Sequence, residues 1–358
     1  MHILYFITSH GYGHGVRSCC IANALPVDYK ITFHTVLPEG FFQEEVKRPF
    51  SYLPGEFDCG CLQSDGVTTD IEATIKQYSL VAGRNRSYLP DELKWCKENH
   101  VDLIISDITP FAFEVAHKCG IPSIAVTNFT WYDIYKEYLK YEPSFAPILD
   151  TVLSQYKSAD LAIALYPSLP MNYFRKLYPV PLVGRKGNNV RKEICKKFGF
   201  SEDKKIGIIY VGNFGMSNAQ WNRLESFSDW EFLGVYPLPE SPSNFHLICK
   251  DHFSYQDLVA SSDTMIAKLG YGSVSECMLN GKPIIYLPRS SFAEYPVLKE
   301  SIDNWGGGYL LSEKDFYELN WTNALNHSLN AKLVPLPPDG VQQTVEIIES
   351  IIKKGIAS

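Results

Sequence analysis

The sequence predicts an α/β protein built from two doubly wound, Rossmann-like domains that face each other across a cleft. Three observations carry this expectation. The chain has 358 residues, more than one α/β core usually fills. Short β-branched or aromatic runs alternate with helical stretches. That alternation breaks over residues 178–189, a stretch rich in prolines, glycines and basic residues, and then starts again.

In the first half, strands are expected at 3–7, 31–36, 101–105, 123–126 and 161–164, with helices at 17–25, 92–98, 111–118 and 149–157. Strand and helix in strict turn read as βαβ units, whose strands form a parallel sheet covered by helices on both faces. Gly120-Ile121-Pro122 stops one helix before the next strand begins. The second half repeats the pattern, with strands expected at 206–211, 230–235, 246–249, 264–267 and 283–287 and a final helix at 341–353. The expected organisation is therefore a domain over residues 1–182, a second over 183–340, and a terminal helical segment, 341–358, free to pack back on the first.

Composition narrows the function. Hydrophobic residues at 45% and charged residues at 20% belong to an ordinary globular chain rather than a disordered one. A net charge of -7 argues against a general nucleic-acid binder. Arg191, Lys192, Lys196 and Lys197 with Glu193 read as one solvated helix face. The nine cysteines contain no C-x-x-C pair, so neither a zinc ribbon nor a thioredoxin-like motif is present, and a reduced, cytoplasmic protein is the plain reading. No apolar run approaches the roughly 20 residues of a membrane helix; a peripheral contact with a lipid surface is left open.

Two strand-to-helix junctions concentrate the residues suited to chemistry. The first is Ser9-His10-Gly11-Tyr12-Gly13-His14-Gly15-Val16-Arg17. Its glycines miss the third position of the dinucleotide fingerprint, and no ribose-binding acid follows at the usual distance, so NAD binding is a weak reading. His14, near a helix start at the carboxyl edge of a sheet, suits acid–base work; a histidine that only packs the turn is the alternative. His10 is a second candidate. A histidine base commonly uses an acid to fix its tautomer, and Asp107, in Ser106-Asp107-Ile108-Thr109-Pro110, is the best-placed one. It reads equally as the cap of the following helix.

The second junction is Ala267-Lys268-Leu269-Gly270-Tyr271-Gly272-Ser273-Val274-Ser275-Glu276. Glycine and serine at a helix start expose N–H donors suited to a diphosphate, and Glu276 suits ribose hydroxyls. A capping box from Ser273 to Glu276 would need no ligand at all. Tyr210 to Gly215 adds another glycine-rich edge, and Glu294 follows the strand expected at 283–287.

At these residues the chain resembles the GT-B glycosyltransferases, the group that holds the bacterial peptidoglycan N-acetylglucosaminyltransferase and the UDP-glucosyltransferases. It is similar in particular to the N-terminal glycosyltransferase-like region of plant arabinose kinases. The likeness rests on His10 to His14, Asp58 to Asp65, Val126 to Trp131, Asn213 to Gly215 and Lys268 to Glu276 together, and covers most of the chain. It implies His14 as the base that deprotonates an acceptor hydroxyl, with Asp107 assisting. It further implies that Gly272, Ser273, Val274 and Ser275 face the donor diphosphate, that Glu276 holds the ribose, and that Glu294 touches the sugar. Asn213 and Phe214 would line the same cleft. Glu294-Tyr295 departs from the family's Asp-Gln or Gln-Gln pair, so this motif does not name the sugar.

His10, Gly13, Asp65 and Trp131, with Tyr132, are the candidates on the acceptor side, because aromatic faces and carboxylates suit sugar rings and hydroxyls. No Asp-x-Asp occurs in the chain, so no metal ligands are readable and none is expected. No cofactor is expected; the nucleotide sugar, taken to be a UDP-sugar, is a substrate. The expected reaction is inverting transfer to a hydroxyl-bearing acceptor. A nucleotide-sugar hydrolase or epimerase on the same scaffold, or a non-catalytic sensor, are the alternatives.

Overall fold

The computed structural model describes residues 1–63, 69–211, 218–240, 242–249, 252–289 and 292–355, with residues 354 and 355 as backbone only. Its first sheet comprises β1 (His2–Ile7), β2 (Lys30–His34), β3 (Ser51–Leu53), β4 (Leu103–Asp107), β5 (Ser123–Thr127), β6 (Leu161–Leu165) and β7 (Leu177–Val180), in the order β3-β2-β1-β4-β5-β6-β7. The second comprises β8 (Lys205–Tyr210), β9 (Trp230–Gly234), β10 (Phe245–Leu247), β11 (Thr264–Lys268), β12 (Ile284–Leu287) and β13 (Gly308–Leu310), in the order β10-β9-β8-β11-β12-β13. Every pairing between these strands is parallel.

Why these runs become central strands follows from their sequence. β1, β4, β5 and β6 are buried along their whole length, which a parallel strand covered on both faces requires. The strands invisible in the sequence, β3, β7 and β13, are three or four residues long and only partly buried. Pro179 restricts β7 to the sheet edge, so part of the expected linker is in fact the seventh strand.

Helix Ile71–Glu98 is four times longer than the piece expected at 92–98. Asp70 caps it by accepting the Ala73 N–H at 2.9 Å, and Pro90 lies within it. Its polarity concealed it: Thr74, Tyr78, Val81, Asn85 and Cys96 are its buried residues, too few and too mixed to show a clean apolar stripe.

In both sheets the strand order reverses at the first strand, between β1 and β4 and between β8 and β11. Open α/β sheets form their crevice outside the carboxyl ends of the strands at such a point. The helix that follows β1 carries His14 in its first turn and the helix that follows β11 carries Gly272 in its own, so topology places both glycine-rich junctions at the crevice of their own lobe. The terminal helix Val341–Gly355 leaves the second lobe and packs on helix Tyr12–Ala24, where Val345 and Ile348 join the core of the first. Burying Ile348 alone contributes about 2–3 kcal/mol to that attachment. Among the described residues no helix is long and apolar enough to cross a membrane.

Candidate functional site

The register of the first sheet builds the site. Ile7, the last residue of β1, pairs with Asp107, the last of β4. Helix Tyr12–Ala24 starts four residues past Thr8 with Gly11 as its cap and no side chain closing it, so His14 sits in its first turn, above Asp107. His14 Nδ1 donates to Asp107 Oδ1 at 2.9 Å although 93 residues separate the two. The ring is 11% exposed, and its Nε2 has no hydrogen bond among the described residues. With Nδ1 committed as donor, Nε2 keeps a lone pair able to take a proton.

Asp107 does not cap the following helix. Pro110 occupies that position without a side-chain bond, and Ile108, at φ 56°, turns the chain sharply between the two. A β-branched residue in the left-handed region is strained, and here the strain sits directly beside the carboxylate it aims.

Arg17 has a role at this pair that the sequence does not announce. It lies one turn beyond His14, hence on the same helix face, and only 1% of it is exposed. Its Nε donates to Asp107 Oδ2 and its Nη2 to Oδ1, both at 2.6 Å, while Nη1 donates to Asn128 Oδ1 at 2.5 Å. Ser18 Oγ adds a bond to Oδ2 at 3.3 Å. Burial pushes the Asp107 carboxyl up, but Arg17 and then His14 outweigh it and hold it below its ordinary range.

A second buried carboxylate braces the same loops. Asp58 accepts from Thr8 Oγ1 at 2.6 Å and from Thr109 Oγ1 at 2.7 Å, which ties the ends of β1 and β4 together. Burial raises its carboxyl, with these hydroxyls offsetting part of the rise.

His10 and Trp131 belong to one aromatic cluster. Trp131 is fully buried, stacked on Tyr135 and edge-on to Phe129, so its ring offers no face to an acceptor. His10 meets the Trp131 ring at 5.1 Å and lies parallel to Phe292 at 6.4 Å. Its Nδ1 accepts the Cys61 N–H at 3.3 Å. Gly60, at φ 62°, makes this approach feasible, since a Cβ there would lie 2.2 Å from that nitrogen. Burial, with His14, Arg289 and Lys268 nearby, pushes the His10 imidazolium down to about 3, so the ring is neutral at ordinary pH and does not exchange protons. Tyr132 packs against Tyr173 and Lys136 rather than toward His14. Asp65, Asn213 and Phe214 fall outside the described residues.

On the second lobe, helix Tyr271–Leu279 begins after Gly270, again without a side-chain cap. Ser273 is therefore inside the helix, and the capping box with Glu276 does not form. Val274 is buried in the lobe's core and its N–H already bonds Gly270 O, while Ser275 Oγ donates to Gly272 O at 3.2 Å. Neither turns a group toward the opening. The first helical N–H groups, at Tyr271, Gly272 and Ser273, are the ones without an intrahelical partner by position. They meet the first lobe directly: a Cβ on Gly13 would lie 3.7 Å from Gly272 N, so two uncapped helix starts confront each other where glycine leaves room.

Polar contacts of Asn128, Arg185, Arg17 and Tyr271 close the seam around this point. Asn128 Nδ2 donates to Glu294 Oε1 at 2.6 Å. Arg185 donates through Nε to Glu276 Oε1 at 2.6 Å and through Nη1 to Glu45 Oε1 at 2.7 Å. Arg17 lies over the Tyr271 ring at 4.9 Å, and the Tyr271 hydroxyl accepts the Val183 N–H at 3.0 Å. Glu276 and Glu294 are 2% and 4% exposed, and burial raises both carboxyls. Arg185 offsets part of the rise at Glu276, and Asn128 and Arg289 part of that at Glu294.

No family model matches the chain. It is 31% identical over 336 residues to L-arabinokinase of Arabidopsis thaliana, an alignment covering 92% of this chain and 32% of that protein. It is 28% identical over 123 residues to the UDP-N-acetylglucosamine--N-acetylmuramyl-(pentapeptide) pyrophosphoryl-undecaprenol N-acetylglucosamine transferase of Christiangramia forsetii, covering 30% of this chain and 33% of that enzyme. The chain thus spans about a third of the length of these curated relatives. Among solved structures it is similar to Phytolacca americana UGT2 complexed with UDP-2fluoro-glucose and pterostilbene, with a TM-score of 0.67 at 14% identity over 98% of this chain and 99% of that one. The spinosyn forosaminyltransferase SpnP superposes with a TM-score of 0.62 at 15% identity, over 99% of both chains. Arabidopsis thaliana UGT89C1 complexed with UDP-L-rhamnose gives 0.63 at 15%, over 99% of this chain and 95% of that one. At such identities the likeness is one of fold: two Rossmann-like domains in the GT-B arrangement.

Proposed function

We propose that this chain, which has the GT-B fold, moves a sugar from a nucleoside diphosphate donor, with uridine as the nucleoside, to a hydroxyl group of an acceptor, with inversion and without a metal. One observation carries the reading: the helix start that holds His14, itself bonded to Asp107, meets through Gly13 the uncapped helix start at Gly272 of the other lobe.

In this mechanism the acceptor oxygen attacks the anomeric carbon from the side opposite the diphosphate. Its proton passes to His14 Nε2, and the bond from the anomeric carbon to the phosphate oxygen breaks with its electron pair leaving on the diphosphate. Asp107 keeps the Nδ1 proton in place and stabilises the imidazolium without taking a proton itself. The N–H groups of Gly272 and Ser273 and the positive end of their helix balance the charge that develops on the leaving group. A base of this kind contributes about 10²–10⁴ in rate. Glu294 and Glu276 are the carboxylates suited to sugar and ribose hydroxyls. The UDP-sugars named in the complexes of two similar structures support the donor class.

The test begins with a thermal-shift screen of nucleotide sugars and continues with release of nucleoside diphosphate in the presence of candidate acceptors. His14→Ala is expected to lower turnover by about 10²–10⁴ while leaving UDP affinity unchanged. Undiminished turnover in that variant sinks the assignment. Diphosphate release that needs no acceptor would instead identify a hydrolase, and binding without turnover in either form a sensor.

A further inference from the structure

We propose that Arg17 is a positioning residue that sets the basicity of His14 by holding the charge of Asp107. The proposal rests on the reading of His14 as the base, but its test requires no turnover.

Asp107 has two oxygens, and Arg17 takes both through Nε and Nη2 at 2.6 Å. His14 is left with a 2.9 Å bond to an oxygen that is already shared. The Arg17 Nη2 also lies 3.0 Å from His14 Nδ1 itself. A cation in this place opposes the imidazolium twice, by direct repulsion and by neutralising the carboxylate that would otherwise stabilise it. The guanidinium cannot swing away. Its Nη1 is bonded to Asn128 Oδ1, and the amide is locked in that orientation because its Nδ2 donates to Glu294. The Tyr271 ring covers it from the second lobe.

The charged and titratable groups acting on His14 are Asp107, Asp58, Glu294, Arg17 and His10. Three are carboxyls that favour a protonated ring, His10 is neutral, and Arg17 is the cation set against them. Without Arg17 the ring would hold its proton to higher pH, and a base that holds its proton cannot accept one from an acceptor.

Histidine-selective ¹⁵N NMR titration of wild type and Arg17→Gln tests this, with His14→Asn used to assign the signal. The glutamine amide still donates to Asp107 but carries no charge. The midpoint of the His14 signal is expected to rise by about one pH unit in Arg17→Gln, a tenfold gain in proton affinity. An unchanged midpoint in folded protein, checked by near-UV circular dichroism, overturns the proposal, because a merely structural arginine would not move it. Should Arg17→Gln not fold, Arg17→Met removes the charge with a chain of similar length; a rise supports the proposal and an unmoved midpoint overturns it. If the midpoint moves but His14→Ala retains turnover, the electrostatic assignment stands and the catalytic one fails.

Discussion

The two lobes each bury carboxylates at their shared seam, and they do so on opposite terms. Asp107 of the first lobe and Glu276 and Glu294 of the second are all withdrawn from water. Asp107 is nevertheless held below the ordinary carboxylate range, while both glutamates are raised above theirs. Burial penalises all three, so the sign is decided by partners. Asp107 receives a two-pronged guanidinium and an imidazole. Glu276 receives one nitrogen of an arginine that is shared with Glu45, and Glu294 receives an amide. Asp107 is thus committed to fixed protein partners, whereas Glu276 and Glu294 are carboxylates whose partners a ligand hydroxyl could replace. A rigid base and an exchangeable binding surface are what transfer between two bound molecules requires.

The comparison breaks most readily at Asp107. Asp107→Asn leaves Arg17 buried without its counter-charge and is expected to lower unfolding stability by about 3–5 kcal/mol, read from urea denaturation. If the loss is below that of the glutamate variants, the first lobe is not the committed one.

His10 sharpens the same contrast through pH. Its folded-state value of about 3 lies under the unfolded 6.5, so the unfolded chain takes up the proton first. The stability this neutral ring provides is complete above pH 6.5 and is lost as pH falls toward 3. From pH 6.5 to 5 the wild type should lose about 2 kcal/mol that His10→Asn does not lose, measured as the difference between their unfolding curves. Parallel pH dependence in the two proteins would refute the neutral assignment.

Glu276→Gln is expected to cost about 1–2 kcal/mol, since Arg185 keeps Glu45 as partner. Glu294→Gln should cost less than about 1 kcal/mol, because the amide oxygen still accepts from Asn128 and the charge removed was already disfavoured. Equal and large losses in both glutamate variants would erase the distinction between the lobes.

Much of this arrangement could be read from residue order. The buried runs of β1, β4, β8 and β11 are apolar enough to be found as strands, and glycine and histidine just past β1 mark a carboxyl-edge loop wherever the fold is doubly wound. Arg17 was within reach as well, one helical turn past His14, but a basic residue on a helix usually faces water, and nothing local says that this one is buried. The roles of Asn128, which lies in a segment that carries the family likeness, and of Arg185 were not legible, because each comes from a partner 111 and 91 residues away. Trp131 misled for the complementary reason, since an aromatic ring suits a sugar but this side chain turns to the core, as does that of Val274, which only the family resemblance had pointed to.

What the sequence by itself determined is local and periodic: the alternation that makes two parallel sheets, the helix starts left open by glycine, and the absence of any stretch able to serve as a membrane helix among the described elements. What only the tertiary structure decided is who partners whom at the seam. Hydrophobic periodicity is a property of neighbours in sequence, whereas the charge state of a buried carboxylate depends on the few groups within about 4–6 Å, and those groups are brought together by strand order and lobe closure rather than by spacing along the chain.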